Sequence, residues 1–382
     1  MKYRLTCLTP VLIGDGGKLS PIDYMVWKNQ VNVLDQPRIF RLLSKGPRLD
    51  NYLKQIGRAD KLEFAAWGGF AQNYADRRIP FEDAAYTQYW ERLPSEHLHI
   101  PTFIASHAGP FLPGSALKGA LRTALLAARA SESPAGEIAS RTANDKPVRN
   151  PGGVLEERYV GGSRQSRMKT IAVSDSAPVP VESLMIFLLR VAALDKKPGG
   201  GLCLRWKTWP GGSVAAGQTE ASTPIFVEMA TPGTAFEGSW RENQYYQRPE
   251  VAKALRWRDP LTSGTLLQAA NSFARKQLLM HQRYAEVAGL DELHQGISVL
   301  LKRLDEVRGE TACLVSLGWG GGFLSKSSVP DPSQETYKEL LGQTPAYSRT
   351  IRSGLPFPKT RRIVFLANRP AALPGWALLE LL

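Results

Sequence analysis

The chain has 382 residues, 43% of them apolar, which suffices for two or three domains with real cores and excludes wholesale disorder. Lys and Arg outnumber Asp and Glu by 48 to 35, giving a net charge of +13. The pI is about 9.7; either a polyanionic partner such as nucleic acid or a solvated basic surface accounts for that excess. The cysteines Cys7, Cys203 and Cys313 are far apart and form no CxxC pair, which argues against a disulfide framework or a zinc site and fits a reducing cytoplasm. The opening MKYRLTCLTP lacks the apolar centre of a signal peptide. The strongest apolar run, 184–189, ends at Arg190 and is too short to span a bilayer, so a soluble cytoplasmic protein is expected.

In chain order, residues 3–8 read as a strand ended by Pro10 and the cluster Gly14-Asp15-Gly16-Gly17. Residues 24–27 and 31–34 read as a hairpin around Lys28-Asn29-Gln30. Asp35 followed by Pro37 marks a helix start, with Ile39, Leu42 and Leu43 at helical spacing. A second helical stretch covers 82–93. Pro113-Gly114-Ser115 opens a helix over 116–130, with Ser115 as its N-cap. Residues 131–170 hold little periodic apolar content and read as a long mobile insertion. Regular structure is expected to resume at 170–173 and 181–194. Segments 224–229 and 234–240 look like a strand pair joined by Thr231-Pro232-Gly233. Helices follow over 261–287 and 292–307. Residues 312–317 form a strand entering a glycine-rich loop, and 360–366 read as the last long strand. The pattern suits an α+β protein of two ferredoxin-like units, one in residues 1–178 and one in 179–382.

Five features carry candidate chemistry. The first is the loop Gly318-Trp319-Gly320-Gly321-Gly322-Phe323-Leu324-Ser325-Lys326-Ser327. Its glycines permit positive φ and let backbone N–H groups approach a phosphate, Trp319 and Phe323 offer stacking faces, and Lys326 adds charge. It is not a nucleotide-binding P-loop, because Ser325 stands where the glycine before the lysine is required. A tight turn packed by two aromatics is the plain alternative. The second is the helix from Ser115. Leu117, Leu121, Ala124 and Ala128 mark its core face, and Lys118, Arg122 and Arg129 lie on another. Its N-terminus beside Lys118 favours a phosphate, and Gly119, costing roughly 1 kcal/mol of helix propensity, suggests a close approach there. A solvated basic face is the alternative.

The third feature is the basic segment 141–169. It carries Arg141, Lys146, Arg149, Arg158, Arg164, Arg167 and Lys169 against Asp145, Glu156 and Glu157. Such segments order on RNA or remain plain loops. The fourth is His97, His99 and His107, which are zinc ligands, nucleic-acid contacts or simple surface groups, with no cysteine nearby. The fifth is Asp15 and Asp23. Each is a turn former that hydrogen-bonds its own backbone, or a group that activates the 2′-hydroxyl of a bound RNA. No Ser-His-Asp spacing and no HExxH accompanies them.

Together these stretches resemble one family. Leu8-Thr9-Pro10-Val11-Leu12-Ile13-Gly14-Asp15-Gly16 and Leu19-Ser20-Pro21-Ile22-Asp23-Tyr24 resemble the opening of the fifth-subunit family of type III-A (Csm) CRISPR effectors. Phe111-Leu112-Pro113-Gly114-Ser115-Ala116-Leu117-Lys118-Gly119-Ala120-Leu121-Arg122 is similar to the helix-opening motif of the wider RAMP superfamily. Val173-Ser174-Asp175-Ser176, the loop Gly318-Trp319-Gly320-Gly321-Gly322-Phe323 and the ending Pro374-Gly375-Trp376-Ala377-Leu378 also resemble family motifs. Leu12 departs from relatives that often carry a histidine there, which weakens a His-assisted reaction at that loop.

The resemblance implies two RNA-recognition-like RAMP domains. It implies a non-catalytic subunit that caps a filament of backbone subunits, holds the 3′ part of the CRISPR RNA and supports its maturation, through assembly or recruitment of host nucleases. The implied partners are the CRISPR RNA and the neighbouring RAMP backbone and small subunits, with target RNA nearby and no membrane. No cofactor or metal is implied. Gly318, Trp319, Gly320, Gly321, Gly322, Phe323 and Lys326 are the implied RNA contacts, with Ser115, Lys118, Arg122, Gly14, Gly16, Arg164, Arg167 and Lys169. Backbone relatives cleave target RNA with an aspartate roughly at Asp23, but no catalytic role is assigned to Asp23 here. A metal-independent endoribonuclease using Asp15, Asp23 or one of the three histidines is the alternative, and a scaffold whose basic surface meets an acidic protein is a third reading.

Overall fold

The computed structural model describes residues 1–46, 48–58, 61–62, 73–129, 136, 138, 151–162, 164–257, 260–329, 331 and 335–382. Strand β1 (Lys2–Cys7) alternates strictly enough that Tyr3, Leu5 and Cys7 are buried while Lys2 and Arg4 face water. A two-residue strand β2 (Lys18–Leu19) follows the first loop. Strands β3 (Tyr24–Trp27) and β4 (Gln30–Leu34) form the expected hairpin. Lys28 and Asn29 sit at φ 52° and 58°, the paired left-handed positions of a two-residue turn. Helix α1 (Gln36–Leu43) starts where Asp35 accepts the Arg38 N–H at 3.0 Å. With α2 (Leu49–Arg58) and β5 (Ala75–Pro80) it completes a side lobe whose small core is Leu34, Ile39, Leu43, Tyr52 and Leu62.

Arg77 of β5 ties that lobe to the body. It grips the fully buried Glu228 in a bidentate pair at 2.7 and 3.3 Å, and Glu228 also accepts the Phe103 N–H at 3.1 Å. Helix α3 (Tyr86–Arg92) begins later than the spacing predicts, since Phe81 first bridges to Ile186. Short strands β6 (Ile100–Pro101), β7 (Ala105–Ser106) and β8 (Gly109–Pro110) lead into helix α4 (Gly114–Arg129). The expected mobile insertion is folded in its described second half. Helix α5 (Pro151–Tyr159), the turn after it and a 3-10 turn (Arg167–Thr170) bury Leu155, Val160 and Met168, too few and too uneven in spacing to register as an amphipathic pattern.

The remaining strands are β9 (Ile171–Val173), β10 (Leu184–Lys196), β11 (Leu202–Thr208), β12 (Gly212–Ala215), β13 (Ile225–Ala230), β14 (Ala235–Glu242), β15 (Ala312–Ser316), β16 (Thr360–Leu366), β17 (Arg369–Ala372) and β18 (Trp376–Leu381). They build two antiparallel sheets. The first runs β15-β18-β1-β14-β9, and the second β12-β11-β10-β16-β17 with β13 also on β10. The first sheet thus takes strands from both sides of residue 178 and joins the two ends of the chain. Segments 224–229 and 234–240 do not pair as expected. β13 pairs with β10, and β14 with β1 and β9. The residue pattern gives the reason. IFVEMA is buried along nearly its whole length, as a strand covered on both faces requires, whereas AFEGSWRE alternates and suits a sheet with one wet face. Between them the Gly233 N–H bonds to the Cys7 carbonyl and turns the chain from one sheet to the other.

A short helix α6 (Pro249–Ala254) and the long helices α7 (Ser263–Ala288) and α8 (Asp291–Glu306) follow β14. Leu266, Leu267, Ala270 and Phe273 of α7 share a core with Leu117, Leu121 and Leu125 of α4 and with the first sheet. Strand 360–366 is not the last long one, since β18 closes the first sheet beside β1. No described helix is long and apolar enough to cross a membrane.

Candidate nucleic-acid interface

The glycine-rich loop leaves β15 at Ser316 and enters a short helix, α9 (Gly322–Lys326). Gly318, Gly320 and Gly322 sit at φ 79°, 101° and 69°. A Cβ on Gly318 would stand 2.1 Å from the Leu12 carbonyl oxygen, and one on Gly320 would stand 2.7 Å from Pro374 Cγ. The Trp319 N–H donates to the Leu12 carbonyl at 2.8 Å, Leu317 N–H to Gly375 at 2.9 Å, and Gly375 N–H to Pro10 at 2.9 Å. These glycines therefore serve close packing of three backbones from the start, the last third and the end of the chain. Gly322 differs, because a Cβ there would meet nothing within 4 Å.

The two aromatics of the loop face protein. Trp319 lies under the Arg362 guanidinium, 4.8 Å from ring centroid to Cζ. Phe323 meets Tyr347 and Phe357 edge-on at 5.6 and 4.9 Å. Tyr347 belongs to helix α11 (Pro345–Arg352), which follows α10 (Glu335–Gln343); the sequence reading assigned neither helix. Lys326 is exposed. Opposite the loop, Gly14, Asp15, Gly16 and Gly17 are exposed as well. Asp15 accepts the Gly17 N–H at 2.8 Å, and Asp23 accepts the Ser20 N–H at 2.7 Å. Both aspartates thus cap their own turns.

The helix-opening motif is also closed by protein. Helix α4 begins at Gly114, so Ser115 lies inside the first turn and is not the N-cap. Gly114 N–H donates to Asp175 Oδ1 at 2.8 Å and Leu112 N–H to Ser176 Oγ at 2.9 Å. A Cβ on Gly114 would stand 2.5 Å from the Val173 carbonyl oxygen. The Pro-Gly-Ser and Val-Ser-Asp-Ser motifs are thus two halves of one joint, and an aspartate already meets the positive end of the helix. Lys118 turns inward, donating from Nζ to the Ile171 carbonyl at 2.6 Å, and burial lowers its pKa. Arg122 is exposed and pairs with Glu156 at 2.8 Å. Gly119 has open space where a Cβ would stand, so no close approach within the protein requires it.

Arg164 and Lys169 are exposed, and Lys169 Nζ donates to the Arg164 carbonyl at 3.0 Å; Arg167 is half-buried. Arg141, Asp145, Lys146 and Arg149 lie outside the described residues. His97 stands 3.5 Å from its neighbour Glu96 and edge-on to Trp209, His99 is half-buried, and His107 is exposed in the β7–β8 turn. Among the described residues no group of three or more His, Cys, Asp or Glu is placed to hold a metal ion. The structure therefore brings together 10–17, the glycine loop and the face of α4, which α9 packs against. It leaves the histidines elsewhere. Sequence reading missed Arg362 and Asp175 as members of the site. Alternation along Thr-Arg-Arg-Ile in β16 separates Arg361 from Arg362, but nothing local says that Arg362 meets Trp319.

A family model described as the RAMP superfamily matches residues 4–325. The chain belongs to the RAMP superfamily. Within it, the chain is similar to the CRISPR system Cms protein Csm5 of Methanocaldococcus jannaschii, at 20% identity over 408 residues covering 98% of this chain and 88% of that protein. Its fold is that of a chain in the cryo-EM structure of a Csm–crRNA–target RNA ternary complex of a type III-A CRISPR-Cas system, with TM-score 0.68, 19% identity and full coverage of both chains. The crystal structure of T. onnurineus Csm5 matches with TM-score 0.61 and 19% identity over 99% of this chain and 100% of that one.

Proposed function

We propose that this chain is the Csm5-type subunit of a type III-A effector complex, and that it binds guide RNA through the RNA backbone without cutting it. The observation that carries the reading is the junction of Leu12 with Gly318 and Trp319, which sets the glycine loop beside the segment entering the exposed 14–17 turn, while α9 at the end of the loop packs against α4. Lys326 at the end of the loop and Arg122 on α4 are exposed cations, and the net charge of +13 supports a polyanionic partner. On this reading the chain caps the filament of backbone RAMP subunits, holds the 3′ part of the CRISPR RNA in the cytoplasm, and supports its maturation. The small subunits and the target RNA are then its neighbours. The names of the structural relatives, a Csm–crRNA–target RNA complex among them, support these partners.

The sheet order supports a ferredoxin-like unit. Strands β18-β1-β14-β9 have the 4-1-3-2 order of β-α-β-β-α-β, with α4 and α7 as the two crossovers and all neighbours antiparallel. We take this as a first RAMP unit closed by the last strand of the chain, with the second sheet as the core of the other. Filter binding of a single-stranded guide RNA across salt concentrations tests the function. Wild type shows a steep salt dependence, and Arg122→Ala with Lys326→Ala makes the log–log slope shallower by about 1.4, at roughly 0.7 per phosphate contact. An unchanged slope overturns the assignment of those cations. Specific RNA cuts in EDTA that vanish in Asp23→Ala would overturn the non-catalytic reading.

A further inference from the structure

The glycine loop is continuous with a second group of cations that no sequence motif singles out. Arg362 lies over Trp319. On the second sheet Arg362 is the register partner of Val191, while Ala193 is the partner of Arg205. Val191 and Ala193 are two apart on β10, so Arg362, Arg205 and, two further along β11, Lys207 project to one face. Between them β10 offers only those two small side chains. Arg349 and Lys359 are close enough to act electrostatically on Lys207. Its pKa is lowered by burial first, then by Lys359, Arg349 and Arg205, with Asp195 opposing.

Cations outnumber carboxylates here, since Asp195, two residues beyond Ala193 on β10, is the one acid that acts on Lys207. Among the described residues none of Arg349, Lys207, Lys359 and Arg362 stands in an ion pair, and the buried Nε of Arg362 has no hydrogen-bond partner. The loop also holds this group mechanically. Phe323 anchors Tyr347 and Phe357, which flank Arg349 and precede Lys359. Like charges held at short range cost free energy unless an anion neutralises them.

We infer that this face of the second sheet is a phosphate track for single-stranded RNA, entered from the glycine loop at Arg362 and continued by Arg205, Lys207, Arg349 and Lys359. The inference rests on the RNA-binding reading above and extends it to a second, sequence-independent stretch of backbone. Contacts of this kind neutralise phosphates and release counterions, so they act through salt-dependent affinity rather than base choice.

The test is the salt dependence of single-stranded RNA binding by the full chain carrying Lys207→Gln, Arg349→Gln and Lys359→Gln together. Three lost contacts make the log–log slope shallower by about 2 and weaken binding about tenfold or more. A control changing the exposed helix lysines Lys253, Lys276 and Lys302 to Gln leaves the slope near wild type. If the track variant binds as wild type while Arg122→Ala with Lys326→Ala loses affinity, the track is wrong and the glycine-loop reading stands. If both bind as wild type, that reading fails as well. A track variant that keeps RNA binding but loses an acidic protein partner overturns the inference in favour of a protein interface. Photocrosslinking of thiouridine-substituted RNA to the wild-type chain is independent of any folding defect. Crosslinked peptides that contain Lys207 or 349–362 support the track, and crosslinks confined elsewhere overturn it.

Discussion

The glycine-rich loop and the Pro-Gly-Ser helix start look alike as sequence, since each sets glycine beside a cation. In the folded chain both use glycine for the same purpose, close approach of one backbone to another. They differ in what is left outward. The helix start is closed by Asp175 and its neighbouring Lys118 bonds to the Ile171 carbonyl. The loop closes at Gly318, Gly320 and Gly321, leaves Gly322 open and keeps Lys326 in solvent. A glycine motif therefore marks a close approach without saying whether protein or ligand makes it.

The largest effect that can break this comparison is at Gly318. Gly318→Ala combines positive φ with a Cβ 2.1 Å from a carbonyl oxygen, so a loss of about 3 kcal/mol or more is expected in denaturant unfolding. Gly322→Ala shares the positive φ but meets open space, and should cost only about 1 kcal/mol. Equal effects would mean that the two glycines serve the same purpose.

Next in size is Asp175→Ala, which removes the acceptor of the Gly114 N–H and the negative charge at the start of α4. A loss of roughly 1–2 kcal/mol is expected, with no loss of RNA affinity. Weakened RNA binding by a stably folded Asp175→Ala chain would show that the joint belongs to the binding surface after all. The smallest effect separates the two cations of α4. Arg122→Gln should flatten the salt slope of RNA binding by about 0.7 and leave stability within about 1 kcal/mol, because its pair with Glu156 is a surface one. Lys118→Met should leave the slope unchanged.

Much of this was legible locally. Alternation placed β1, the turn at Lys28-Asn29 placed the hairpin, and Asp35 before Pro37 placed α1. What stayed hidden is long-range. The unlike patterns of the two strands in 224–240 hint that they part company, but the partners that separate them are far off in the chain, at 1–7 and 184–189. Helix α5 carries too little apolar periodicity to announce itself, and its burial depends on α4. The site behaved likewise. The residues of the glycine loop were identifiable, but Leu12 as its floor, Asp175 as the helix cap and Arg362 over Trp319 are contacts that only the fold creates.

The most direct measurement is a cryo-EM reconstruction of the full chain with a guide RNA. The phosphate backbone should pass Gly322 and Lys326, beside the exposed 14–17 turn and Arg122. An RNA path that avoids this surface, or density on the histidines at 97, 99 and 107 instead, would contradict it.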